Sequence, residues 1–349
     1  MMTLKQFSAE PQTIPTATSW YLADLGVAQG RQELFTRQSP QKLKVLREHA
    51  LIESTVSSNR IEGVTVDQAR VGTILFGQPT LKDRGEEEVR GYRDALRLIH
   101  EGAAELPVTA ATLRRLHKLC RGDIWDAGRL KEKDVDIIER QADGRERVRF
   151  KPVPAGQPTR QALSEMVALY RQGLRERWLH PLILLAGLNL DFLCIHPFRD
   201  GNGRVSRLLL LLTCYQHGYE VGRYISLERI IEQNKERYYE TLEQSSRQWH
   251  AGKHNPWHYV NYVLFILKTA YGEFEERLGQ VGSPRGEKSE LVRRAVAAKA
   301  RPFRIADLQR ECPGVSTDMI RHVLKALRRA GQVECLGRGQ GAQWRRTAK

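Results

Sequence analysis

Residues 196–207 read HPFRDGNGRVSR, a short polar stretch between two apolar ones. Upstream lies PLILLAGLNLDFLCIHPF (181–198), and downstream Val205 and Leu208–Leu212 resume the apolar run. Segments apolar on nearly every face read as buried helices. The loop is therefore held inside the fold, where charge is costly unless a partner satisfies it. Gly201 and Gly203 let backbone N–H groups converge, and a second helix starting at about Gly203 turns its positive end towards whatever the loop encloses. Phosphate suits that geometry. Arg204 and Arg207, three apart on one helix face, are fit to grip phosphate oxygens. Asp200 offers a hard oxygen to Mg²⁺, which binds through one or two carboxylates plus phosphate oxygens. His196 stands where it can take a proton from a hydroxyl near neutral pH. The plainer alternative is a polar loop in which Asp200 and Asn202 merely cap the second helix.

Outward from the loop the chain reads mainly as helix. Apolar spacing predicts helices over 41–62, 85–101, 109–120, 158–175, 181–195, 203–217, 226–246 and 256–278. Residues 132–151 instead alternate around Asp143–Gly144, a hairpin signal because both turn positions favour positive φ. The run at 181–198 approaches the ~20 residues of a bilayer span but is broken by Asn189 and Asp191. No secretory signal is visible at the start, so a cytoplasmic protein with no membrane partner is expected. Five cysteines without a C-x-x-C pair read as free thiols. His250, His254 and His258 recur every fourth residue, but Gly252 and Pro256 interrupt the helix a zinc site would need.

The loop matches, at every defined position, the HPFx(D/E)GN(G/K)RxxR motif, and the chain resembles the Fic-domain family over roughly residues 40–275. The resemblance implies a Fic-type helical domain that transfers AMP from ATP, with Mg²⁺, to a hydroxyl of a target protein. On it His196 is the general base, Asp200 the metal ligand, and Gly201, Asn202 and Gly203 the anion hole. Arg204 and Arg207 hold the terminal phosphates, and Phe198 anchors the loop. The 132–151 hairpin is similar to the family's target-binding flap, with Val135, Ile137 and Ile138 clamping a target main chain. ERYYETLEQSS resembles the segment whose tyrosines, here Tyr238 and Tyr239, flank adenine; Ser246 stands where many relatives carry Asn. Residues 58–63, SNRIEG, match an inhibitory (S/T)xxxE(G/N) motif. Ser58 and Glu62 lie one turn apart, and Glu62 is expected to pair with Arg207 in the place of the γ-phosphate.

Charge divides the chain. Of 56 Lys plus Arg and 41 Asp plus Glu, the stretch from Ser283 onward holds 16 and 6, concentrating positive charge in a basic appendage. Its helix–helix–turn–helix–hairpin pattern resembles a winged helix-turn-helix. That likeness implies DNA contact through the helix at about 316–330, including Arg321, with Arg338, Arg345 and Arg346 on phosphates. The expected organisation is thus an N-terminal segment, 1–80, carrying an inhibitory helix at about 41–63. A Fic catalytic domain at 81–278 with a β-hairpin flap follows, then a small winged-helix domain at 285–349. The resemblance also admits self-modification and a homodimer. Two other functions stay open: a DNA-binding regulator whose central domain senses nucleotide, and a related enzyme that removes AMP or moves another phosphate-containing group.

Overall fold

A computed structural model describes residues 2–9, 13–38, 40–77, 79–140, 145–280, 287–297, 299, 301–312, 315–337 and 342–347. The chain divides into two compact units, Met1–Leu278 and Gly279–Lys349.

The larger unit runs α1 (Thr3–Phe7), α2 (Thr16–Gln38), α3 (Pro40–Ile61), α4 (Gln68–Phe76), α5 (Arg84–Gly102) and α6 (Ala110–Arg121). The hairpin β1 (Ile137–Arg140) and β2 (Glu146–Phe150) comes next, then α7 (Gln157–Glu176), α8 (Pro181–Ile195) and α9 (Asn202–Gln216). A short 3₁₀ turn precedes α10 (Leu227–Gln233), α11 (Lys235–Ser246) and α12 (Trp257–Gln280). At the centre, α8 is buried without a break from Leu182 to Phe192, as its all-round apolarity requires. Pro181 at its first position and the His180 side chain, accepting from the Leu182 N–H at 3.2 Å, start it.

One departure from the sequence reading has a local cause. The expected 226–246 helix is two, because Asn234 leaves helical backbone geometry and its amide donates back to the Ile230 carbonyl at 2.8 Å. The opening residues form α1 and α2. The first of these is a strap seated on α8: Phe7 lies so close to Gly187 that a Cβ there would meet its ring at 2.7 Å. The buried Asp191 carboxylate accepts from Thr3 N at 2.7 Å, Leu4 N at 2.9 Å and Trp249 Nε1 at 2.8 Å. His254, one of the spaced histidines, serves the strap by bonding the Thr3 hydroxyl at 2.8 Å.

In the hairpin Ile138 pairs with Val148 and Arg140 with Glu146, with a register shift between Ile137 and Ile138. The expected Asp143–Gly144 turn lies outside the described residues. No helix among the described residues is long and apolar enough to cross a membrane.

The smaller unit has α13 (Glu287–Ala297), β3 (Phe303–Arg304), α14 (Ile305–Glu311), α15 (Thr317–Arg329), β4 (Val333–Cys335) and β5 (Gln343–Arg346). Its strands form an antiparallel sheet ordered β3-β5-β4. Ser316 caps α15 by accepting from the Met319 N–H at 3.3 Å, and Ile320, Val323, Leu324 and Leu327 make the buried stripe.

Burial pushes the Asp191 carboxyl up to about 6. Since the unfolded value is about 3.9, the folded chain binds this proton more tightly, and its contribution to stability falls as pH rises from about 4 to about 6. Asp191→Asn is expected to flatten that slope in urea titrations. Asp191→Ala is expected to cost roughly 2–3 kcal/mol, because three donors lose their acceptor.

Candidate functional site

The loop begins where α8 ends. His196 takes the left-handed conformation, φ 51°, and its N–H closes the helix on the Phe192 carbonyl at 2.9 Å. Lys131, buried, clamps both flanking peptides: its Nζ donates to the Ile195 carbonyl at 3.1 Å and its backbone N–H to Pro197 at 2.9 Å. Burial and the Lys131 charge lower the imidazole pKa to about 4, so His196 is neutral at pH 7. Phe198, fully buried, stacks flat on His117 with centroids 3.8 Å apart. His117 Nδ1 accepts from the Gly128 N–H at 2.9 Å, which leaves Nε2 to donate to the Asp200 carbonyl at 2.9 Å.

Asn202 acts as a staple: its side chain accepts from Phe198 N at 3.0 Å and donates to Phe198 O at 2.8 Å. Gly201, φ 78°, caps α9, one residue earlier than the sequence suggested. The Asn202 and Gly203 N–H groups thus fall in the first turn, where a helix has no internal acceptors for them. Over Gly203 sits Glu62, whose Oε1 would lie 2.3 Å from a Cβ at that position. A side chain at 203 would push this carboxylate aside, so glycine lets Glu62 come so near the backbone.

Arg207 is nearly enclosed and turns to α3. Its Nε donates to Ser58 Oγ at 2.8 Å, and its Nη2 to Ser58 O at 3.0 Å and Glu62 Oε1 at 2.8 Å. Burial would lower its pKa, but the Glu62 charge, the Tyr92 and Tyr238 hydroxyls and the hydrogen bond to Glu62 together raise it. Its Nη1 is buried without a partner. Glu62 lies just past the end of α3, not within the helix as its spacing from Ser58 suggested, and Gly63 at φ 81° turns the chain away.

Arg204 diverges from Arg207 despite their shared face. Its Nη1 reaches Glu88 at 2.7 Å and Asn59 at 3.2 Å, and its Nε is a buried orphan. Glu88 also holds Arg121 at 2.8 Å, and Arg121 reaches Asp200 Oδ2 at 2.7 Å. Burial would raise the Asp200 pKa, but Arg121 and Arg204 hold it below the usual value. Asp200 Oδ1 accepts from Gly201 N at 2.6 Å, and the side chain stays 53 % exposed. The described residues hold no cluster of three acidic, His or Cys side chains for a metal. One half-exposed carboxylate fits Mg²⁺ carried largely by phosphate oxygens.

Glu62, His196, Gly203 and Arg207 line a cavity of about 630 Å³, together with Tyr238, Tyr239, Ser246 and the flap residues Ile137 and Ile138. The two tyrosine rings lie 5.2 Å apart. Tyr238 is buried among Tyr259 and Tyr262, while half-buried Tyr239 carries the Arg149 guanidinium over its ring at 5.2 Å. Arg149 also donates to the Tyr239 carbonyl, and Arg147 meets Glu243 at 3.3 Å, so β2 is tethered to α11. Val135, partly buried, precedes the strand.

Sequence reading missed Glu88, Arg121, His117 and Lys131. None belongs to the quoted motif, and only buried charge at a predicted helix position could have marked Glu88. In the smaller unit Arg321 meets Asp318 at 3.1 Å, Arg345 pairs across the strands with Glu334, and Arg346 donates to the Ala297 carbonyl at 2.6 Å. Arg338 lies outside the described residues.

Residues 107–214 match the model of the Fic/DOC family. Two curated relatives, each named protein adenylyltransferase Fic, from Drosophila persimilis and Drosophila pseudoobscura pseudoobscura, are 26 % identical over 188 residues. The match takes in 52 % of this chain but 35 % of theirs, so it spans about a third of their length. Among solved structures, a Fic family protein from Desulfovibrio desulfuricans superposes with a TM-score of 0.63 at 22 % identity, covering 98 % of this chain and 99 % of that one. A Fic-domain signalling protein from Bacteroides thetaiotaomicron gives 0.61 at 22 % identity, over 74 % of this chain and 97 % of that one. At these identities the structural likeness is one of fold.

Glu88→Ala is expected to destabilise the larger unit by about 3 kcal/mol in urea unfolding, because it leaves the buried Arg204 guanidinium without its carboxylate, whereas Arg121 keeps Asp200. A loss below about 1 kcal/mol would show that Arg204 finds another partner.

Proposed function

We propose that the Fic/DOC domain of residues 107–214 transfers AMP from ATP to a Ser, Thr or Tyr hydroxyl of a protein, and that Glu62 restrains it. The observation that carries this is the Glu62 carboxylate lying on Gly203 and Arg207, in one cavity with His196 and the paired tyrosines. A carboxylate in that place marks an anion site, and the orphaned Nη1 of Arg207 beside it fits a second oxygen.

In this reading adenine lies by Tyr238 and Tyr239, and the triphosphate follows the first turn of α9. The target's backbone adds to the flap beside Val135, Ile137 and Ile138. Neutral His196 takes the hydroxyl proton as the oxygen attacks the α-phosphorus in line. The bond to the β-phosphate breaks, and pyrophosphate leaves carrying its charge against Arg204 and Arg207. Mg²⁺ at Asp200 would neutralise phosphate charge when bound with ATP. Like charge sets Glu62 against the γ-phosphate, so it must withdraw first.

Glu62→Gly is expected to raise AMP transfer by tenfold or more, on the order of the one charged contact released. His196→Ala in that background should abolish it, as label from α-phosphate-labelled ATP on protein would report. Equal labelling with and without the Glu62 substitution contradicts the restraint, and transfer surviving His196→Ala contradicts the base.

A second reading concerns the smaller unit. Its charge and the exposed Arg321, Lys325, Arg328 and Arg329 of α15 support a winged-helix module that binds DNA. The 283–349 fragment is expected to bind duplex DNA with affinity falling at least about tenfold between ~50 and ~200 mM salt. Absence of binding at low salt contradicts it.

A further inference from the structure

Beside the large cavity, on the other side of Glu62, opens a second cleft of about 430 Å³. Glu62 lines both, and the cleft's other charged walls are Arg84, Glu88, Asp200 and Arg204. Arg84 belongs to no motif. It opens α5, where the Asp83 side chain caps the helix on the Glu86 N–H at 2.9 Å. Its Nε rests 3.1 Å from Glu88 and its Nη2 4.0 Å from Asp200, with the side chain 56 % exposed.

Glu62 completes the charge of the cleft. Arg84, Arg121, Arg204 and Arg207 are matched by Glu62, Glu88, Asp200 and Asp126, the last meeting Arg121 at 3.8 Å. Departure of Glu62 frees Arg207 and leaves these four guanidiniums with three carboxylates. Arg204 also keeps a buried Nε without an acceptor. The cleft therefore suits a compact, multiply charged anion lying at the end of the loop away from the tyrosines. Arg84 is the guanidinium there that is exposed enough to swing onto it.

We propose that this cleft holds the two terminal phosphates of the nucleotide, later the pyrophosphate, and that Arg84 is a third arginine gripping them. The assignment rests on the nucleotide reading of the site. Arg84 makes no contact with the AMP portion, so its contribution appears only for ligands that carry the outer phosphates.

The test is calorimetric titration in the Glu62→Gly background with Mg²⁺ and α,β-methylene ATP, or with AMP. Arg84→Gln should weaken the triphosphate about tenfold and leave AMP within about twofold, with Arg84→Lys recovering part of the loss. An unchanged triphosphate affinity overturns the assignment, and so does an equal loss for AMP, which would mark a structural effect. Glu62→Gly protein that binds the analogue yet labels no protein overturns AMP transfer while leaving Arg84 to be read from the titration. Failure of that protein to bind the analogue overturns both.

Discussion

One contact organises the site: the Glu62 carboxylate on Arg207 and against the backbone at Gly203. Arg207 is held among apolar helices, where an unpaired guanidinium would be costly. Ser58 and Glu62 satisfy most of it. The end of α3 is thereby fixed to the start of α9, and Asn59 repeats the tie by bonding Arg204 at 3.2 Å. What closes the cavity is thus the same contact that offsets a buried charge. A ligand that replaces Glu62 must satisfy Arg207 equally well, which favours a dianionic oxygen group over a neutral one.

Around that contact the loop is made rigid by residues that need never touch a ligand. His117 stacks under Phe198 and bonds the Asp200 carbonyl, Asn202 staples the Phe198 peptide, and Lys131 clamps the peptides on either side of His196. Two buried carboxylate-bridged arginines, Arg121 and Arg204, carry the wall beneath Asp200. Farther along, Asp191 ties the N-terminal strap to the same helix that ends at His196. Positions on α8 and α9 are therefore set from several directions, as a site that orients reacting groups needs.

Much of this was legible before the structure. The all-apolar runs at 181–195 and 205–212 announced a central helical pair, and HPFRDGNGRVSR placed the loop between them. SNRIEG pointed to Glu62 because motif spacing survives even where the residue slips just past its helix. The break at Asn234 was hidden because helical spacing continues across it, and α2 because its exposed faces give little periodicity. Arg204 looked like a free phosphate cation until Glu88, 116 residues away in sequence, proved to hold it. Long-range ion pairs leave no local pattern, so Arg84, Arg121 and the second cleft had no signal in the sequence.

The most direct measurement is a crystal structure of the Glu62→Gly protein with Mg²⁺ and a non-hydrolysable ATP analogue. The γ-phosphate should lie on Arg207 where the carboxylate now sits, with the α-phosphate between the Gly203 backbone and His196 and the base beside Tyr239. A triphosphate bound elsewhere, with Arg207 still engaged only by Ser58, would contradict the claim that Glu62 holds a phosphate's place.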